Sequence, residues 1–295
     1  MELTCLIGER AQGSIVFKDE VYRGLSLAAV REIAALCICS LKEVEIAALE
    51  MGVIPERYER SLGTVGGPAG QVRLLRSRAA VIGLGGLGGL TAELLTRMGV
   101  GTIVLVDGDS FNESNLNRQV MSTETNLGQP KVTAATARLA EINAAVELIA
   151  YPSFATPHNL EKMLAGCHVA LDCLDSLGAR FLLQDFCRRL QIPFVHGAIA
   201  QYYGQLSVIY PGDPGLEAVY GPTDVERDRG IEKELGNPAT TPALVASLQA
   251  QEALKILLGT GELLRGRLLF IDTLQGVFES VQLEKGVNHS GSGEN

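Results

Sequence analysis

No apolar run in the 295 residues approaches the ~20 consecutive residues needed to cross a bilayer, and Met1-Glu-Leu-Thr lacks the basic start of a secretory signal. Both absences lead to the expectation of a cytoplasmic protein with no membrane partner. Positive charge is also scarce: 25 Lys and Arg against 34 Asp and Glu give a formal charge of −9. That balance repels a phosphate backbone and argues against general nucleic-acid binding, unless a local basic patch overrides it. There are only six cysteines, and none follows Cys187. Cys167, Cys173 and Cys187 stand in apolar surroundings and read as small buried hydrophobes, which excludes a disulfide framework and fits a reducing compartment. Cys37 and Cys39 form a C-x-C pair with no other Cys or His near in sequence, so packing is preferred over metal binding there.

What is present begins with a small N-terminal unit over about residues 1–55. Leu25–Cys39 has helical apolar spacing, and Ser40-Leu-Lys-Glu43 is a capping box for a second helix through Leu49, ended by Gly52 and Pro55. The unit is therefore expected to be helical, with packing, dimer contact and partner docking as its open roles. From Ala79 the pattern changes to short apolar runs separated by amphipathic stretches. Strands are expected at Ala79–Ile82, Thr102–Val106, Val146–Ala150, His168–Cys173 and Pro193–Val195. The intervening helices are Leu87–Met98, Lys131–Ile142, Asn159–Leu164 and Leu177–Leu190. This alternation predicts an α/β fold, a doubly wound, Rossmann-like and mostly parallel sheet. Gly204–Tyr210 reads as an added strand, Leu244–Leu258 as a helix, and Arg267–Asp272 with Val277–Leu283 as a hairpin around Gln275-Gly276. Residues 286–295 are polar and read as a disordered tail, leaving 56–285 as the main domain.

Gly83-Leu-Gly85-Gly86-Leu-Gly88-Gly89 lies between an expected strand and helix. Glycines there permit a tight turn and let backbone N–H groups and a helix N-terminus meet phosphate. Asp107, nineteen residues beyond Gly88, ends the second strand where a carboxylate reaches a ribose hydroxyl. These features serve NAD and ATP equally, and a close-packed strand–helix turn is their plain alternative. The following segments separate the readings. When a carboxylate attacks the α-phosphate of ATP, two anions meet and pyrophosphate leaves, so Arg, Lys and a divalent metal are needed. Ser114-Asn115-Leu-Asn117-Arg118-Gln119 follows the second strand, and Gln129-Pro130-Lys131 opens the next helix at an expected exposed start. Asp172-Cys-Leu-Asp175 ends a later strand. Singly, Arg118 and Lys131 read as surface charges, Asn115 and Asn117 as loop formers, and Asp175 as a helix N-cap. Together, at the ends of successive strands, they favour a functional site.

With these segments in view, the sequence resembles the ThiF/MoeB/HesA family, bacterial relatives of ubiquitin-activating enzymes. Arg57-Tyr-Glu-Arg60, the Gly83–Gly89 loop with Asp107-Gly-Asp109, Ser114–Gln119 with Gln129-Pro-Lys131, Asp172–Asp175 and Gln249-Ala-Gln-Glu-Ala-Leu-Lys255 carry the likeness. The resemblance implies an adenylyltransferase that uses ATP and Mg²⁺ on the C-terminal glycine of a β-grasp sulfur-carrier protein ending in Gly-Gly. By it, Gly83, Gly85, Gly86 and Gly88 seat the nucleotide, with Asp109 beside them. Asp107 holds the ribose, Arg118 and Lys131 the triphosphate and Asp175 the Mg²⁺, with Asn115 and Gln119 assisting. Arg60 is an arginine finger from the other subunit of a homodimer.

The chain departs from that family in two respects. Many relatives hold a structural zinc with two C-x-x-C pairs; here the first pair aligns with Gly215-Leu-Glu-Ala218 and no cysteine follows Lys285, so no zinc site is expected. Many also carry a loop cysteine that takes the activated carrier as a thioester or acyl-persulfide. That position aligns with Glu232, and a carboxylate cannot replace a thiolate nucleophile. The expectation is an enzyme that stops at the acyl-adenylate. Competing readings are a tRNA-modifying adenylating dehydratase, an NAD-dependent oxidoreductase and a catalytically idle binding protein.

Overall fold

The computed structural model describes residues 2–221 and 236–283. The position aligned with the loop cysteine, Glu232, and the tail 286–295 lie outside these residues. The N-terminal unit holds α1 (Leu3–Arg10), α2 (Leu27–Cys37) and α3 (Leu41–Glu50), together with three strands that its helical periodicity did not announce. These are β1 (Gln12–Phe17), β2 (Glu20–Leu25) and β3 (Val53–Pro55), joined in that order. The capping box forms as expected: the Ser40 hydroxyl accepts from the Glu43 amide, and the Glu43 carboxylate accepts from the Ser40 amide. Ile33, Val44 and Leu6 centre its core, while a second cluster joins Ile15, Leu49 and Ile54 to Tyr58, Leu62, Val72 and Leu75. The N-terminal unit is thereby packed onto α4 (Leu62–Val65) and α5 (Pro68–Leu75).

Among the described residues the main sheet has eight strands, in the order β11-β10-β9-β8-β7-β4-β5-β6. Five are parallel: β4 (Arg78–Ile82), β5 (Thr102–Val106), β6 (Glu147–Tyr151), β7 (Val169–Asp172) and β8 (Phe194–Ala200). The three at one edge are antiparallel: β9 (Tyr203–Ile209), β10 (Arg267–Asp272) and β11 (Val277–Gln282). The doubly wound sheet with added antiparallel strands is thus the observed architecture. Every residue of β5 is buried, as a central parallel strand covered on both faces requires. On one face α6 (Gly88–Arg97), α7 (Lys131–Ile142) and a long helix, α11 (Thr240–Leu258), cover Val81, Leu105 and Leu171. On the other, α8 (Leu160–Leu164) and α9 (Leu177–Leu190) cover Ile82, Val106 and Ala170. A short helix, α10 (Glu217–Tyr220), follows β9.

Sheet order changes direction at β4, which has β5 on one side and β7 on the other. Loops leaving the carboxyl ends of these strands diverge and open a crevice.

Candidate functional site

A cavity of about 650 Å³ fills that crevice, within the range of small-ligand sites. Its wall includes Gly83, Gly85 and Gly86 after β4, Asp107 and Asp109 after β5, Arg118, Gln119 and Lys131 beyond them, and Asp175 after β7. Residues separated by up to 92 positions (175 − 83) therefore meet at one place. Gly88 lies behind the wall: a Cβ there would sit 1.8 Å from the Gly83 carbonyl oxygen, so its glycine serves the contact between helix and loop. Gly83 has φ +93°, and its Cβ would fall 2.5 Å from the Cys173 carbonyl oxygen. The loop thus combines the close-packed turn with the open one; among the described residues a Cβ on Gly85 would meet only the Gln119 amide nitrogen, at 3.7 Å.

Asp107 fastens this loop to the next. Its Oδ2 accepts from the Leu84 amide at 2.7 Å and its Oδ1 from the Asp109 amide at 2.8 Å. Burial pushes its carboxyl above the usual range, opposed by Lys131. Lys131 begins α7, but it is not exposed as expected: its accessibility is 7%, because the bridge between Ser110 and Pro130 draws the helix start under the loop. Its amine donates to Asp109 Oδ2 at 3.1 Å and lies 3.9 Å from Asp107 Oδ2. Arg118 donates to the Ser114 carbonyl and to Asn117 Oδ1, both at 2.9 Å, which turns it along the cavity wall. Asn117 is more than a loop former, since it lines the cavity and donates to the Asn237 carbonyl at 3.2 Å. Asn115 is not in the wall; its Oδ1 accepts from the Asn112 amide at 3.0 Å and shapes the turn that presents Arg118.

Asp175 is not the N-cap of α9. Ser176 holds that place, accepting from the Ala179 amide at 3.4 Å, and Asp175 is an exposed carboxylate on the cavity. Gln119 is buried to 6% accessibility, and its Oε1 has no hydrogen-bond partner among the described residues. A buried amide oxygen without a donor is costly. A nucleotide with Mg²⁺ fits these residues: cations at Arg118 and Lys131, a carboxylate at Asp175 with room for water, and open backbone at Gly85. Arg60 lies on an exposed part of the 3₁₀ turn Glu56–Ser61 and is not in the wall of this cavity.

Sequence reading missed Arg180, Phe154 and the support beneath them. Arg180, 3% accessible, lines the cavity and donates to the carbonyls of Gly197 at 2.8 Å and Leu174 at 2.5 Å. It lies 3.5 Å from the wholly buried Asp172 carboxylate, whose Oδ2 is 2.7 Å from His196 Nδ1 and whose Oδ1 accepts from the Leu174 amide. His196 Nε2 is 3.0 Å from the Tyr220 hydroxyl. Asp172 was in view as part of the Asp172–Asp175 segment, but spacing offered no sign of the network around it, because its members come from two strands and two helices. Phe154 is 62% exposed beyond β6 and lies against Gly108; an exposed aromatic in a strand-end loop was the only available signal.

Burial lowers the His196 pKa below its usual 6.5, with Asp172 opposing. A base whose folded pKa is depressed contributes stability that is present above the unfolded pKa and lost as pH falls through the folded value. Urea midpoints measured from pH 7.5 to 5 should therefore fall more steeply below about 6.5 for the wild type than for His196→Asn. Parallel curves would exclude His196 as the titrating group.

The fold and cavity define a doubly wound α/β protein with its ligand crevice at the switch between β4 and β7. The model of the ThiF family matches residues 58–291. The chain belongs to the ThiF family. It is 38% identical over 215 residues to the SAMP-activating enzyme E1 of Haloferax volcanii, across 73% of this chain and 80% of that one. It is 36% identical over 240 residues to the sulfur carrier protein adenylyltransferase of Thermus thermophilus, across 78% and 88%. Among solved structures, PaaA superposes with a TM-score of 0.67 at 22% identity, over 78% of this chain and 73% of that one, a likeness of fold. No helix among the described residues is long and apolar enough to cross a membrane.

Proposed function

We propose that this chain is an adenylyltransferase of the ubiquitin-activating type, which uses ATP and Mg²⁺ to adenylate the C-terminal glycine carboxylate of a small ubiquitin-like sulfur carrier ending in Gly-Gly. The observation that carries this reading is the meeting of Arg118, Lys131 and Asp175 with the Gly83–Gly86 loop in one cavity. The relatives named as a SAMP-activating enzyme and a sulfur carrier protein adenylyltransferase support the substrate class.

In this reading the loop amides and the start of α6 receive phosphate oxygens, and Asp107 takes the ribose. Phe154 offers an apolar face to the base, and the Gln119 carbonyl accepts from a nucleotide donor. Arg118 and Lys131 stabilise charge that grows on the α-phosphate and the departing pyrophosphate as the carrier carboxylate attacks. Mg²⁺, when held at Asp175, supplies further neutralisation of the phosphates. The enzyme works as a cytoplasmic homodimer, with Arg60 of each subunit serving the other. ATP–pyrophosphate exchange with co-encoded β-grasp proteins tests the proposal, and failure with all of them would sink it.

The reaction ends at the acyl-adenylate. Cys173 is the one cysteine in the cavity wall among the described residues, and burial pushes its thiol far above the range in which a thiolate forms. Its sulfur donates to Gln249 Oε1 at 3.6 Å. Cys173→Ala is thus expected to keep exchange within about twofold of wild type, at a stability cost of ~1 kcal/mol. Loss of exchange in that variant, measured beside its melting curve, would give Cys173 a chemical role.

A further inference from the structure

The first 57 residues precede the family match, and their contacts converge on the segment that carries Arg60. Tyr58 is wholly buried; its hydroxyl donates to Glu45 Oε2 at 2.8 Å and accepts from Asn143 Nδ2 at 3.1 Å. Arg57 donates to Asn143 Oδ1, and its Nε lies 3.2 Å from Glu45 Oε1, out of alignment for a hydrogen bond. Asn143 also donates to the Thr96 carbonyl at 3.2 Å, tying this knot to the end of α6. Glu45 belongs to α3 and has no exposed surface. A buried acid with one oxygen poorly served is seldom worth its desolvation for stability alone, so a role in fixing one geometry is the better account of it. Lys42, also on α3, donates to the Gly101 carbonyl at 3.2 Å and pairs with Glu147 at 3.2 Å.

All these anchors lie at the amino end of β5. A Cβ on Gly99 would come within 2.7 Å of the Tyr58 ring, whereas Asp107 follows β5 at its other end, on the cavity. Five strand residues at ~3.3 Å each separate the two ends by about 16 Å. The segment bearing Arg60 is thus held rigidly at the far side of its own sheet from its own cavity.

We infer that the N-terminal unit is a mount that aims Arg60 into the cavity of a second copy of the chain, with Glu45 and Tyr58 as its positioning residues. This rests on the reading of Arg60 as a cation acting between subunits. It gives residues 1–55 a role in catalysis without contact with substrate.

Mixed dimers test it. Arg60→Ala, Tyr58→Phe and Glu45→Gln are each assayed for exchange alone and after subunit exchange with Lys131→Met, whose own cavity is inactive but whose Arg60 is intact. Alone, Tyr58→Phe and Glu45→Gln should lose about 10²-fold in kcat at unchanged KM for ATP, the size expected of a ~1 Å misplacement. Each mixture should recover to about a quarter of wild-type rate, since half the dimers of a randomly paired twofold assembly are mixed and each has one complete cavity. A merely structural defect would stay with the subunit that supplies the working cavity, and mixing would not rescue it. If the Arg60→Ala mixture recovers while Tyr58→Phe and Glu45→Gln either keep full exchange or fail to recover on mixing, the mount is overturned and the Arg60 reading stands. Full exchange by Arg60→Ala alone, or no recovery of its mixture, overturns both. Should Glu45→Gln not fold, Tyr58→Phe carries the test by removing a single hydroxyl.

Discussion

Replacing Lys131 by methionine is expected to lower ATP–pyrophosphate exchange by about 10²–10³-fold, the usual loss when one preorganised charge donor to a transition state is removed. Methionine preserves the buried aliphatic stem of a side chain that is 7% accessible, so packing at the start of α7 should survive. The charge is what goes. Lys131 sits between Asp107 and Asp109 at the edge of the cavity, and without it these two carboxylates face an incoming triphosphate unopposed. The loss should appear in kcat and in ATP affinity together, because repulsion acts on bound substrate as well as on the transition state. Calorimetry with ATP–Mg beside the exchange assay separates the two. Near wild-type exchange in Lys131→Met would remove Lys131 from the phosphate site.

The largest loss of stability is expected from Asp172→Ala, at about 3–5 kcal/mol, since removing one member of a buried ion pair leaves the other uncompensated. Asp172 is wholly buried beside Arg180 and His196, and its Oδ1 also receives the Leu174 amide. A loss of that size is a large part of the ~5–15 kcal/mol that holds a typical domain together. Asp172→Asn keeps an acceptor for Leu174 and should fall between wild type and alanine. Urea denaturation at pH 7 reads the difference, and a cost under about 1 kcal/mol for the alanine variant, the worth of an exposed pair, would show the network to be incidental. Because the same carboxylate shapes the Cys173–Asp175 turn, exchange should decline in step with the turn's disorder.

Several boundaries were legible from pattern alone. β5, β10, α7 and α9 begin and end where apolar periodicity predicts, and the Ser40–Glu43 capping box is a local interaction that needs no tertiary partner. The three short N-terminal strands were not legible, since β1 is mostly exposed, β2 buries only its last two residues without alternating, and β3 spans only three residues, too little for a period of two to declare itself. The N-cap of α9 fell to Ser176 and not to Asp175, one residue away, a distinction that backbone angles settle and composition does not. Lys131 was misread as exposed because the pairing of Ser110 with Pro130 buries it from twenty residues away.

The cysteine inventory, the alternation of strand and helix, and the glycine loop are properties of the chain as written, since each depends on residue identity or on spacing within one element. They sufficed for the fold class and for expecting a nucleotide, and the absence of cysteine after Cys187 ruled out a downstream thiol nucleophile in this chain. What needed the tertiary structure was adjacency. Arg118, Lys131 and Asp175 share a cavity because β4 is flanked by β5 and β7, an order that no local pattern encodes. The same sheet, through its length, sets Arg60 and its supporting knot at the end away from that cavity.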